Sequence, residues 1–251
     1  MINNICIIVC FYNTNPKYLE ECFLSIDRAI WYFNRHKKTN IPVEVHVMDD
    51  GSDDIYTLKT FENILKNYTY IKYWRHEYNT TLSTAINDLN KYTPDHSLVI
   101  YIDSDDMMMY TRILNQYEIM TKECWSNITL CATAVTSPTQ HFNKYTCYPY
   151  FNYHVYNNLN EMNSNIIDHP SICYKIDDIR KYNIEYDSNY RCTQDFDFYL
   201  NLLSHNLKIL LISDSLTYYR GYSMEDRPDN NRKYGTELNN LEQKWNKKLF
   251  L

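Results

Sequence analysis

The sequence predicts an α/β fold, a mostly parallel sheet flanked by helices, and three observations carry that prediction. Short β-branched runs alternate with helically periodic segments through the first half, the pattern of successive β-α-β units. Two acidic clusters, Asp49-Asp50 and Asp103-Ser104-Asp105-Asp106, each stand at the end of an apolar run. The composition, 44% hydrophobic and 22% charged over 251 residues, is that of a globular chain long enough for a substantial core, with no demand for more than one domain.

Ile5 to Cys10 is an unbroken apolar run and reads as the first strand. After the loop Phe11 to Asn15, Pro16 suits a first helical turn, where its missing N–H is not needed, and Asn15 suits the cap. Leu19, Cys22, Phe23, Ile26, Ile30 and Phe33 then recur at helical spacing, a stripe that covers one face of a sheet. Val43, Val45 and Val47 alternate with Glu44, His46 and Met48 in a second strand that ends in the turn Asp49-Asp50-Gly51-Ser52. A helix through Leu58, Phe61 and Leu65, a strand over Tyr70 to Trp74 and a helix over Leu82 to Asn90 follow. A fourth strand, Leu98 to Ile102, runs directly into the second acidic cluster. The second half holds a Tyr-rich stretch from Tyr145 to Tyr156, a strand over Ile172 to Lys175 and a helix near Gln194 to His205. Two further strands are read at Leu207 to Ile212 and Leu216 to Tyr222, and no repeat or low-complexity linker interrupts the chain.

The net charge of -6 and a pI near 5.7 argue against a nucleic-acid partner, which requires a concentrated basic surface. Lys244, Lys247 and Lys248 form a small basic patch that suits contact with an anionic membrane, and a solvated helix face, the favoured reading, explains it as well. No apolar run is long enough to cross a bilayer, so no transmembrane segment is expected. The eight cysteines contain no Cys-x-x-Cys pair and several fall in apolar runs. With no signal peptide in evidence, reduced thiols and a cytoplasmic location are expected. Tyrosine and asparagine abundance follows A/T-rich codons, whereas the three glycines, Gly51, Gly221 and Gly235, stand out by their scarcity.

Asp103, Asp105 and Asp106 crowd three carboxylates at one strand end, an arrangement that repels itself unless a cation neutralises it. Hard oxygen ligands select Mg²⁺ or Mn²⁺. In an open parallel sheet, ligands bind beyond the carboxyl ends of the strands, which is where both acidic clusters lie. There Asp50 suits an acceptor for a nucleobase N–H, and Tyr12 in the first loop suits a stacking platform for the same base. An acidic turn and a helix cap explain either cluster taken alone; position at the strand ends favours a site. In the later helix Asp195 and Asp197 flank a stripe of Phe196, Tyr199, Leu200 and Leu203, and periodicity alone does not choose between them.

The segments IIVCFYNTNPKYLEECFLSI, VEVHVMDDGSDD, NTTLSTAIN, IYIDSDD and TQDFDFYLNLL occur in an order that resembles family 2 glycosyltransferases, over residues 5 to about 222. The resemblance implies a GT-A fold in a single domain, 1–251. Residues to about 110 would form the nucleotide-sugar-binding half, and 111–251 the acceptor-binding and catalytic-base half. It implies an inverting transfer from a nucleotide diphosphate sugar, a UDP-sugar above all, to a hydroxyl of a glycan or other acceptor. By the same resemblance Cys10 and Tyr12 line the base pocket, Asp50 binds the base and Asp103 contacts the ribose. Asp105 ligates Mn²⁺ or Mg²⁺ with Asp103, and Asp106 stands between that role and capping the next helix. The family's Glu-Asp pair falls on Gln194 and Asp195, which makes Asp195 the catalytic base. His169, in DHPSICYK, is an acceptor-side contact, and Arg220 is placed near the diphosphate.

The chain departs from the family pattern at Asn79 to Asn87, which lacks the usual glycine and arginine, and at Tyr222, where many relatives carry a histidine. A phosphate-side contact is then expected from Arg75 or Arg191. Two other readings compete: a nucleotidyltransferase, disfavoured by the glycine-free loop Phe11 to Pro16, and a non-catalytic nucleotide-sugar-binding module of the same fold.

Overall fold

The computed structural model describes residues 1–137, 153–220 and 230–250, without the side chains of 230–232. The first half runs β1 (Asn4–Phe11), α1 (Pro16–His36), β2 (Val43–Asp49), α2 (Ile55–Asn67), β3 (Ile71–Arg75), α3 (Leu82–Tyr92) and β4 (Ser97–Asp103). The second half adds β5 (Met107–Met108), α4 (Arg112–Thr121), β6 (Ile128–Thr136), β7 (Tyr153–Tyr156), β8 (Cys173–Lys175), α5 (Ile176–Lys181), α6 (Gln194–Ser204), β9 (Lys208–Tyr218) and α7 (Asn230–Trp245).

All these strands join one sheet in the order β3-β2-β1-β4-β8-β6-β9-β5, with β7 also on β9. The expected parallel sheet is the part β3-β2-β1-β4. Beyond it the sheet is mixed: β8 runs antiparallel to both β4 and β6, while β6 and β9 are parallel. Both faces are covered, which is why β1 and β4 read as continuous apolar runs rather than as alternation. Ile5, Ile7 and Val9 pack with the apolar stripe of α1, and Cys6, Ile8 and Cys10 pack on the other face with α3 and α6. In α1 Asn15 caps as the sequence predicts, its side chain accepting from Lys17 N–H.

Two strand assignments change. The segments Leu207–Ile212 and Leu216–Tyr222 form the single strand β9, which ends at Tyr218. The apparent break is a bulge: Thr133 and Ala134 on β6 oppose Ile212 and Ser215, so Ser213 and Asp214 are extra residues on an exposed arc. Of the Tyr-rich stretch, Tyr153–Tyr156 is β7, and the rest, like Gly221 and Tyr222, lies outside the described residues.

A buried cation that the sequence does not announce ties the two halves together. Arg112, fully buried at the start of α4, donates to Tyr101 O on β4, to Pro170 O and Ile172 O before β8, and to Thr217 Oγ1 on β9. Burial pushes its guanidinium down to about 10, and the charge of Asp106 opposes that fall. Among the described residues no helix is long and apolar enough to cross a membrane, and Cys6, Cys10, Cys22, Cys124, Cys131, Cys173 and Cys192 are free.

Candidate active site

The parallel strands β1, β2 and β4 bring Cys10, Asp50 and Asp103 to one edge. Cys10 lies opposite Met48 and Asp103 in the two ladders, and Asp50 N–H donates to Phe11 O at 2.8 Å just past the end of β2. A cavity of about 400 Å³ opens there. Cys10, Tyr12, Asp50, Asp103 and Asp105 all line it, so five of the donor-side candidates named from sequence share one wall. Tyr12 is 46% exposed, as an open stacking face requires. Burial, followed by the charges of Asp103 and Asp50, pushes the Cys10 thiol well up, so the group is neutral lining and not a nucleophile.

Asp50 is the hub of the turn. Its carboxylate accepts from His76 Nδ1 at 2.7 Å, Asn79 Nδ2 at 3.0 Å, Thr80 Oγ1 at 2.7 Å and Thr80 N at 3.1 Å. Gly51 makes that hub feasible. Its φ is +77°, and a Cβ there would lie 2.3 Å from Tyr78 C and 2.6 Å from Asn79 N. Gly51→Ala is therefore expected to destabilise the protein by roughly 1–3 kcal/mol and to displace the Asn79 wall of the cavity. A urea titration checks the stability loss, and a stability within 0.5 kcal/mol of the parent, on the order expected of an ordinary surface change, counts against it. Gly235, by contrast, has nothing within 4 Å, and nothing in the structure explains it.

The acidic cluster is compact. One carboxylate oxygen from each of Asp103, Asp105 and Asp106 lies within 4.8 Å of the others. Alternation along β4 puts Tyr101 on the same face as Asp103, and its hydroxyl donates to Asp103 Oδ1. Asp106 is buried, with Oδ1 accepting from Arg220 N–H at 2.8 Å and Oδ2 without a hydrogen-bond partner. Burial and the neighbouring charge of Asp103 push its carboxyl up to about 9. Arg220 holds this loop from behind. Its Nε donates to Asp105 O, its Nη2 pairs with Glu21, and its guanidinium lies over the Tyr18 ring at 4.3 Å. Arg220 is not among the residues lining the cavity; it braces the backbone that presents Asp105.

His169 is likewise off the cavity wall. It is buried, with Nε2 3.0 Å from the Tyr186 hydroxyl and its ring 4.1 Å from that of Tyr101. Burial takes its imidazole down to about 3, so it is a neutral ring packed against Tyr101. Of the two candidate phosphate-side arginines, Arg191 lines the cavity. Arg75 is bound in the turn, donating to Ser52 O at 2.6 Å and lying 3.5 Å from Asp49.

The structure separates the two aspartates of α6. Asp197 is fully buried and held by α7, accepting from Lys244 Nζ and Trp245 Nε1, both at 2.9 Å. Asp195 is partly exposed beside Gln194, which lines the cavity. Its Oδ2 accepts from Asn165 Nδ2 at 2.9 Å and its Oδ1 from Phe196 N–H at 2.8 Å. Burial still pushes its carboxyl up to about 6, and the nearby Asp168 rises to about 7 from burial and the charge of Asp195. Thr81, Leu82 and Ser83, the start of α3, also line the cavity, and with Tyr190 they are site residues that sequence reasoning did not single out.

The structure is thus a mixed sheet with an acidic cluster and a cavity at its parallel strand ends. The chain belongs to glycosyl transferase family 2, whose model matches residues 6–190. Asp195 lies beyond that match. No curated protein matches the chain in sequence. Among solved structures, S. aureus TarS 1–349 is similar at a TM-score of 0.64 and 20% identity, over 94% of this chain and 66% of that one. The same protein in complex with UDP-GlcNAc aligns at 0.66 and 18%, over 88% of this chain and 59% of that one. The mannosyltransferase PcManGT from Pyrobaculum calidifontis, in complex with GDP-Man and Mn²⁺, aligns at 0.63 and 12%, over 87% and 57%. These likenesses show the GT-A fold, and the chain spans less than two thirds of the length of these solved structures.

Proposed function

We propose that this chain is a metal-dependent, inverting glycosyltransferase that moves a sugar from a nucleotide diphosphate donor, with UDP favoured, to an acceptor hydroxyl. The observation that carries the reading is the acidic cluster in which Asp103 and Asp105, with Asp106 buried beside them, meet the wall of a cavity that also holds Cys10, Tyr12 and Asp50. Residues 1 to about 110 supply the donor side and the remainder the acceptor side and base, within one unit. UDP-GlcNAc and GDP-Man in the similar structures support a nucleotide sugar in the same cleft.

The donor set suits a hard divalent ion: it is all oxygen, its ligand atoms are within 4.8 Å of one another, and Asp106 keeps a buried oxygen with no partner. Asp103 and Asp105 would hold Mn²⁺ or Mg²⁺, which when bound neutralises charge that builds on the departing diphosphate. Arg191 and the N-terminus of α3 lie on the same cavity and favour the same negative charge. Asp50 fixes the Asn79–Thr80 wall around the base through the bonds described above, and Tyr12 offers the face on which the base stacks. Asp195, ionised, takes the proton of the acceptor hydroxyl as its oxygen attacks the anomeric carbon. Gln194 Oε1, buried without a hydrogen-bond partner, is an acceptor available to a substrate hydroxyl.

A thermal-shift screen of UDP-, GDP- and dTDP-sugars, with and without Mn²⁺, tests the reading. A donor at about a hundred times its Kd adds roughly 2.7 kcal/mol of stability. The expected result is a rise in melting temperature with a UDP-sugar that depends on Mn²⁺, together with release of UDP on turnover. No shift with any nucleotide sugar removes the donor assignment, and a shift without UDP release leaves a binding module.

A further inference from the structure

We infer that Asn165 is a positioning residue for Asp195, fixing the carboxylate at the N-terminus of α6 in the orientation from which it meets an acceptor hydroxyl. This rests on the reading of Asp195 as the base. Both carboxylate oxygens are held, Oδ1 by Phe196 N–H from the first turn of α6 and Oδ2 by Asn165 Nδ2. One bond comes from the next residue along α6 and the other from 30 positions earlier in the chain, so together they stop the carboxylate from turning about its Cβ–Cγ bond. Each oxygen keeps lone-pair capacity for a substrate proton.

Asn165 is itself fixed. Its Oδ1 accepts from Ile167 N–H at 3.3 Å, which turns Nδ2 toward Asp195; only the amide nitrogen can donate to a carboxylate, so the pair of bonds defines the amide's orientation. The segment that carries it is anchored on both sides. Met162 and Ile167 are buried, Phe250 N–H donates to Asn163 O at 2.8 Å, and Ser164 pairs with Phe250 in a parallel bridge. Phe250 therefore anchors the segment that carries Asn165, while α7 holds α6 itself through Lys244 and Asp197, two positions after Asp195.

The environment makes the bond consequential. Burial raises the Asp195 carboxyl, and it raises the titratable groups around it as well, Asp168 before β8, Tyr186 between α5 and α6, Tyr199 on α6 and Tyr234 on α7, with the charge of Asp195 adding to each. The Asn165 amide and the helix N–H groups oppose burial and pull the carboxyl down. Losing the amide removes part of that support and frees the carboxylate to rotate.

The test uses Asn165→Ala and the isosteric Asn165→Asp in the intact chain, with thermal melting to show that each folds. Carbonyl ¹³C NMR, with the Asp195 resonance assigned by its loss in Asp195→Asn, reads the Asp195 pKa without any turnover. Expected are an upward shift of about one unit in Asn165→Ala, a larger one in Asn165→Asp, and an acid limb of kcat displaced by the same amount. On the acid limb, below about pH 6, kcat of Asn165→Ala then falls roughly tenfold, and at neutral pH about twofold, while the donor KM stays within about twofold. Should Asn165→Ala not fold, Asn165→Asp carries the same readouts. An Asp195 pKa that stays put in a folded variant overturns the positioning role. A pKa that moves while the acid limb does not shows instead that Asp195 is not the base, and the reading beneath the inference falls.

Discussion

Asp195→Asn is expected to bind nucleotide sugar and divalent cation as the parent does while transfer falls by about 10²–10⁴-fold. The amide keeps the size of the carboxylate and can still meet Phe196 N–H, so the N-terminus of α6 should hold. What it loses is the capacity to take a proton. The pH profile gives a second readout on the parent: the base must be ionised, and burial holds Asp195 at about 6, so turnover is present above pH 6 and is lost as pH falls through it. Asp197→Asn is the control, because Asp197 is fully buried and both its oxygens are held, by Lys244 and by Trp245. That variant should melt lower, since it leaves Lys244 less well paired, and should still turn over. Steady-state kinetics with calorimetry decide the matter. Near-full transfer by Asp195→Asn, with loss in Asp197→Asn, reverses the assignment of the two flanks.

The half of the molecule that holds the donor side was legible because its signals are local. An unbroken run such as Ile5 to Cys10, a Pro16 with its Asn15 cap, and the stripe from Leu19 to Phe33 each specify an element without help from distant residues. The structure lengthens that first strand only to Asn4–Phe11. Strand β6 carried a comparable signal, the continuous run ITLCATAVT, and it is the element that reasoning from alternation passed over, because a strand buried on both faces does not alternate. Strand β9 misled for the opposite reason, since the polar Ser213-Asp214-Ser215 of a bulge imitates a turn. The site divides in the same way. Clustered carboxylates announce themselves by spacing, and Asp103 even shows its partner, since Tyr101 lies two residues back on the same strand face.

The contacts that decide what Asp50, His169 and Arg220 do come from residues far away in sequence, and no pattern near them carries that information. Asp50 is filled by His76, Asn79 and Thr80, 26 to 30 positions on. His169 meets Tyr186 and Tyr101 inside the core, and Arg220 reaches back 199 positions to Glu21. Residue type suggested ligand contacts for all three; their hydrogen bonds and packing add a structural part in the walls around the cavity, which Asp50 also lines. Asn165 shows the limit from the other side, an unremarked amide in irregular chain that acquires a role only when α6 is folded beside it.

Asp105→Asn is expected to change sign with the cation, which distinguishes a metal ligand from a merely acidic turn. In the absence of divalent ions the cluster is repulsive: Asp103 and Asp105 both help to push the Asp106 carboxyl up to about 9, after burial. Removing one negative charge relieves that repulsion, so the metal-free variant should melt at or slightly above the parent. With Mn²⁺ present the order should invert, because the parent gains the binding energy of the ion and the variant has lost a hard anionic ligand from a three-carboxylate set. Donor binding should follow the ion. Titration calorimetry with UDP and Mn²⁺ is expected to show affinity reduced by about tenfold or more, with partial recovery at higher Mn²⁺, and turnover falling in parallel. The neighbouring brace should not obscure the result, since Arg220 holds Asp105 through its backbone oxygen, which the substitution leaves in place. If the variant and the parent melt in the same order with and without Mn²⁺, and UDP binds both alike, then Asp105 does not hold the ion, and Asp103 and Asp106 must be tested in its stead.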